Sequence, residues 1–132
     1  MRVVVADDHA AVRKCVCTVL KSIAGVEICA EASNGKEAVE KALEISPDLI
    51  ILDVNMPTMD GLSAAKHISK KLPLVAIIMI SVGDGPEIIR AAQDAGAQGF
   101  VTRSDVPEAL LGAVDAVREG KTFFSGAWKL PT

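Results

Sequence analysis

The sequence predicts an open, doubly wound α/β sheet of five parallel strands in the order 2-1-3-4-5, with helices on both faces. Three observations predict it. Short apolar runs with no polar alternation, such as residues 49–52 and 74–80, read as strands buried on both sides. Between those runs, apolar residues recur at helical spacing. The chain has 132 residues, which suggests one domain with a real core. That strand order is the common choice at this length.

Each element has its own signal. Residues 3–6 form a β-branched run and a first strand. In residues 10–23, Val12, Val16, Val19, Leu20 and Ile23 make one apolar helical face, and Gly25 ends that helix. Residues 26–30 form the second strand. Ser33-Asn34-Gly35 is turn chemistry, and residues 36–45 form a helix with Ala38, Val39, Ala42 and Leu43 inward. Ser46-Pro47 stops it. Residues 49–53 are the third strand. Residues 61–72 are helical, with Leu62, Ala65, Ile68 and Leu72 on one side, and residues 74–80 are the fourth strand. Pro86 opens the next helix, residues 87–95, which Gly96 closes. Residues 99–101 are a short fifth strand. The last helix spans residues 107–119, with Ser104 or Asp105 as its cap. The domain is expected over residues 1–120, with residues 121–132 as a tail.

Composition narrows the function. Half of the residues are hydrophobic and 23% are charged, so the chain folds rather than staying disordered. A net charge of -3 lacks the footprint of a nucleic-acid-binding module. No apolar run approaches the roughly 18 residues of a membrane span. Asp7 and Asp8 end the N-terminal apolar run too early for a signal peptide, so the expected location is cytoplasmic. Three cysteines, Cys15, Cys17 and Cys29, fit neither a disulfide framework nor a zinc site, and read as reduced thiols.

In a sheet of this kind ligands bind beyond the carboxyl ends of the strands. The first strand ends in Asp7-Asp8 and the third in Asp53, and the order 2-1-3 makes these strands neighbours. Three carboxylates then crowd one crevice, and like charges at short range raise one another's pKa. A divalent cation resolves the conflict, and Mg²⁺ prefers such hard oxygen ligands. In the competing reading Asp7 or Asp8 only caps the helix that follows, which accounts for one aspartate and not three.

The segments VVVADDHAAVR, PDLIILDVNMPTMDGL, IIMIS and DAGAQGFVTRSDVPEAL together resemble the receiver domain of bacterial two-component response regulators, in the subfamily often fused to a C-terminal helix-turn-helix output domain. The resemblance covers essentially the whole chain. It implies a flavodoxin-like (βα)5 fold and a switch driven by phosphorylation. Asp53 matches the phosphoacceptor that takes a phosphoryl group from a histidine kinase. Asp7 and Asp8 match the acidic pair that holds Mg²⁺ with Asp53, and Asn55 matches the position that lends a backbone carbonyl to the metal. Ser81 matches the hydroxyl that reaches toward the phosphoryl oxygens, and Phe100 the aromatic that changes rotamer with the switch. Pro57 and Gly61 shape the loop after the acceptor. In that reading the domain is not an enzyme in its own right, and its output is transcriptional.

Two positions depart from the pattern. Arg103 stands where the family has lysine, and a planar fork replaces a compact ammonium. The alternative for Arg103 is an exposed basic residue at a strand end. Val82 follows Ser81 where a small residue is common, and its side chain narrows access to the acceptor. His9 reads as a helix-start residue, His67 as helix surface, and Met56 and Met59 as loop packing. A phosphorylation-independent pseudo-receiver is the alternative that Arg103 supports. A phosphohydrolase with an aspartate nucleophile is a further one, but it wants an acid two residues on, where this chain has Asn55. The tail resembles the start of a linker to an output domain. Relatives pair through the first and last helices or through the fourth helix and fifth strand, so a homodimer is implied. Phe123, Phe124 and Trp128 are expected to cover the last helix or a second copy. DNA contact is expected only from an output domain, and no membrane contact is expected.

Overall fold

A computed structural model describes residues 1–124. Its strands are β1 (Arg2–Ala6), β2 (Glu27–Ala32), β3 (Leu49–Asp53), β4 (Ala76–Ser81), β5 (Gly99–Thr102) and β6 (Phe123–Phe124). Its helices are α1 (Ala10–Lys21), α2 (Gly35–Ile45), α3 (Gly61–Lys71), α4 (Pro86–Asp94) and α5 (Val106–Arg118). All pairings are parallel and the order is β2-β1-β3-β4-β5-β6. The expected order of the first five strands holds. The five-strand count does not, because Phe123 and Phe124 pair with Gly99 and Phe100 and add a sixth strand.

Alternation along each strand divides the core in two, since successive side chains leave opposite faces of a sheet. On one face Val4, Ala6, Ile50, Leu52, Ile77, Met79 and Phe100 meet α2, α3 and α4 through residues such as Ala38, Ala64, Ile68 and Ile89. On the other, Val3, Val5, Leu49, Ile51, Ile78, Ile80 and Val101 meet α1 and α5 through Val16, Leu20, Leu110 and Val114. Every residue of β3 is buried. That double burial explains the unbroken apolar runs, and it gives Asp53 a rigid base.

Local chemistry sets the ends of the helices. Asn34 caps α2 by accepting from the Glu37 N–H at 2.8 Å, and Asp60 caps α3 through Ser63 N–H at 2.8 Å. Asp105 occupies the cap position of α5, but its carboxylate accepts instead from the Thr102 hydroxyl at 2.6 Å. Leu74 was expected in β4 and lies outside it, 97% exposed, because the chain is still turning after Pro73. Phe123 packs over α5, where a Cβ added to Gly112 would lie 3.2 Å from its ring. The coverage of the last helix expected from Phe123 is therefore present, whereas Trp128 lies outside the described residues. Cys15 is exposed and Cys17 buried, as their spacing on one helix requires.

Candidate functional site

The site forms at the carboxyl end of the sheet, where β1 and β3 run side by side and Ala6 pairs with Leu52. The residue after each strand-end pair is an aspartate, so backbone register alone brings Asp7 and Asp53 together. Asp7 is 2% exposed and Asp53 1%. Asp8 and His9 stand at the rim, more exposed. Ligand atoms of Asp7, Asp8, His9 and Asp53 all lie within 4.8 Å of one another.

The surroundings hold these groups in place. Asp7 Oδ1 accepts from the His9 N–H at 2.8 Å, while Asp7 Oδ2 is buried and accepts no hydrogen bond from the described residues. Arg13 on α1 donates to the Asp7 carbonyl at 2.7 Å and pairs with Glu31 at 3.0 Å, which ties the helix to the ends of β1 and β2. The loop after β3 is gripped from both sides. A Cβ on Gly61 would lie 1.9 Å from the Asp53 carbonyl oxygen, and one on Gly35 would lie 1.9 Å from that of Met59. Only glycine lets the backbones approach this closely. Within the loop Thr58 takes a left-handed φ of 70°, and Met56 is buried.

Arg103 follows β5 in a short 3-10 turn, Arg103–Asp105, and the Thr102–Asp105 hydrogen bond closes that turn. Its Nη2 donates to Asp53 Oδ2 at 3.2 Å. Arg103 is thus no free surface cation. Its Nε is buried and makes no hydrogen bond among the described residues.

Burial pushes the Asp53 carboxyl up to about 6, and the negative charge of Asp7 pushes it the same way. The Asn55 backbone N–H and the Arg103 guanidinium pull it back, and Asp8 adds a smaller upward push. A buried, partly compensated carboxylate beside two others is the electrostatic signature of a functional site.

Residues 3–115 match the response regulator receiver domain. The chain belongs to the response regulator receiver family. It is therefore a switch module of the phosphorylation-activated kind. It is similar to the oxygen regulatory protein NreC of Staphylococcus epidermidis, 36% identical over 93% of this chain and 57% of that protein. It is also similar to a protein-glutamate methylesterase/protein-glutamine glutaminase of Archaeoglobus fulgidus, 47% identical over 80% of this chain and 30% of that protein. The chain thus spans only part of these relatives. Among solved structures, a LuxR-family two-component response regulator from Aurantimonas sp. SI85-9A1 superposes with a TM-score of 0.87 at 30% identity, covering 92% of this chain and 87% of that one.

Of the residues singled out in the sequence, the receiver gathers Asp7, Asp8, Asp53 and Arg103 at one point. Ser81 ends β4, buried, level with Thr102 on the next strand. Asn55 is exposed, and its N–H lies 3.4 Å from Asp53 Oδ1. Phe100 is fully buried in mid-β5, between Met79 and Phe124 in register. Val82 is 65% exposed beside Ser81. The capping alternative for the acidic pair fails, because the N-cap of α1 is His9. Sequence reasoning missed Arg13, whose only signal was a charge one turn into the first helix. It also missed the contact of His9 with the acids. Among the described residues no helix is long and apolar enough to cross a membrane.

Proposed function

We propose that Asp53 is the phosphoacceptor of this receiver, charged by a partner histidine kinase in a Mg²⁺-dependent reaction, with transcription as the output. The observation that carries it is the buried strand-end carboxylate of Asp53, ion-paired to Arg103 and flanked by Asp7 and Asp8. The donor set fits Mg²⁺: carboxylate oxygens from three residues, one of them, Asp7 Oδ2, buried without a hydrogen-bond partner among the described residues. Asp7, Asp8 and Asp53 would hold the ion, with the Asn55 carbonyl as a further oxygen. When bound, the ion supplies positive charge against the carboxylates and the phosphoryl oxygens.

The chain's own residues account for the rest. An ionised oxygen of Asp53 attacks phosphorus, the bond from phosphorus to the donor's nitrogen breaks, and the leaving imidazole keeps the electron pair. The rigid end of β3 holds the nucleophile in place. Arg103 already donates to Asp53 and has Nε uncommitted among the described residues, so its fork suits the new phosphoryl oxygens. Ser81 supplies a hydroxyl from the end of β4, the strand paired with β3. Phe100, buried on the α4 side, converts a shift of Ser81 into repacking near α4 and β5. Pairing of two copies through α1 and α5, or through α4 and β5, belongs to the same proposal, as does DNA contact through an output domain only.

The test is intact mass after incubation with acetyl phosphate and Mg²⁺, with Asp53→Asn and metal-free controls. One added phosphoryl group, lost in both controls, is the expected result. No adduct, together with no release of inorganic phosphate, would remove the acceptor role and leave a phosphorylation-independent binding module.

A further inference from the structure

We infer that the outer face of α3 and the groove at its end dock an acidic amphipathic helix of a partner protein, with carboxylates against the lysines and an apolar side chain in the groove. The chain carries 14 Lys and Arg residues against 17 Asp and Glu. α3 contributes Lys66, Lys70 and Lys71 and no acidic residue, which leaves 11 against 17 elsewhere. Positive charge is therefore concentrated on one helix of a negatively charged molecule. Lys66, His67, Lys70 and Lys71 are all exposed, and with Ser63 they line one surface. None of the four takes part in an ion pair among the described residues. The helix macrodipole favours Lys70 and Lys71 in the last turn, but it gives no reason for Lys66 and His67 in the middle.

A second observation is apolar. Leu74, just past α3, is 97% exposed. It borders a groove of about 380 Å³, lined also by Pro47, Leu72, Pro73 and Val75, which is within the size range of clefts that take ligands. Lys71 lines both surfaces, so the cationic face runs into the apolar groove. The one acidic residue lining the groove, Asp48, accepts from the Arg2 N–H at 2.7 Å and is committed to β1. Lys66 and Lys70 are four residues apart, as are His67 and Lys71, which sets each pair about 6 Å apart along the axis. A partner helix laid along α3 repeats its carboxylates at that same interval when they stand four residues apart. The two observations together select the partner. A nucleic acid carries charge along its whole length, which the acidic remainder of the domain repels, and its backbone offers no apolar anchor. A bilayer presents a plane to a groove that is concave. The surface uses none of α1, α4, α5 or β5, so it stays open when two copies pair through those elements.

The experiment is fluorescence anisotropy of a labelled synthetic helix titrated with the full chain. The probe is an end-blocked peptide of about 16 residues, with glutamates four apart on one stripe and leucines near one end. Four proteins are compared: wild type, a triple variant on α3 (Lys66→Gln, Lys70→Gln, Lys71→Gln), a control triple (Lys14→Gln, Lys21→Gln, Lys36→Gln) and Leu74→Ser. All these side chains are exposed, so the fold is kept. The expected result is saturable binding to wild type that weakens as salt rises from about 50 to about 300 mM. Affinity should fall about tenfold or more in the α3 triple and about fivefold in Leu74→Ser, and stay within about twofold in the control triple. No saturable binding to wild type overturns the inference. Equal losses in the two triples also overturn it, since they mark overall charge and not a surface. Full affinity in Leu74→Ser removes the apolar anchor and with it the amphipathic partner. A single-stranded oligonucleotide of equal charge, or vesicles rich in anionic lipid, that binds wild type more tightly than the peptide and is lost in the α3 triple overturns it too, and gives the surface to that ligand instead.

Discussion

Replacing Asp53 with asparagine should stabilise the protein at neutral pH, even though it removes an ion pair. The folded chain holds the Asp53 proton more tightly than the unfolded chain does. The carboxyl titrates near about 6 in the fold, against an ordinary value of 3.8. Between those two values the folded state binds more protons, so stability falls as pH rises through that window. The penalty is absent below the lower value and complete above the upper one. A gap of about 2 pH units, at about 1.4 kcal/mol each, gives about 3 kcal/mol. The side chain is fully buried, so solvent does little to reduce that figure. Asn mimics the neutral carboxyl and escapes the penalty, and the pull of Arg103 is already counted in the shifted value. Urea unfolding in EDTA should therefore show Asp53→Asn more stable by about 2–3 kcal/mol at pH 7.5, with the difference closing as pH falls toward 4. Added Mg²⁺ should stabilise wild type and narrow the gap. An asparagine variant that is no more stable at pH 7.5, or a difference that does not depend on pH, would refute the electrostatic account of this site.

Three further outcomes can be checked. Arg103→Ala should move the Asp53 carboxyl still higher, since the guanidinium pulls it down, and a carbon-detected NMR titration of the carboxyl reads this directly. Gly61→Ala should cost about 3 kcal/mol or more in urea unfolding, because the new Cβ would sit 1.9 Å from the Asp53 carbonyl oxygen and the backbone must move. Asn34→Ala should cost about 1 kcal/mol by the same measurement, through loss of the cap on Glu37 N–H.

Much of this was legible in the residues because burial on both faces writes itself as unbroken apolar runs. Residues 49–52 and 74–80 announced their strands for that reason. The same rule misled at Leu74, where an apolar residue continues the run but stands in a turn. β6 was not legible, since two phenylalanines carry no period, and only the exposed edge of β5 gives them a place. The convergence of Asp7, Asp8 and Asp53 followed from strand order. The position of Arg103 on Asp53 did not follow, because it depends on a turn set by Thr102 and Asp105. His9 was placed correctly at the start of a helix, yet its ring contacts depend on how two strand ends meet.

The two margins of the sheet have a consequence for how copies of this domain meet. An open strand edge is a template on which a second chain can grow the same sheet. One margin is β2, which carries exposed Glu27 and Glu31, so two such margins brought together oppose like charges. The other is β6, whose described part is two residues long and offers little to pair with. Both margins therefore discourage fusion of sheets between molecules. Association of this domain is expected to use helical faces, where contacts can form and release without rebuilding a hydrogen-bond ladder. A dimer with one continuous sheet would contradict that expectation.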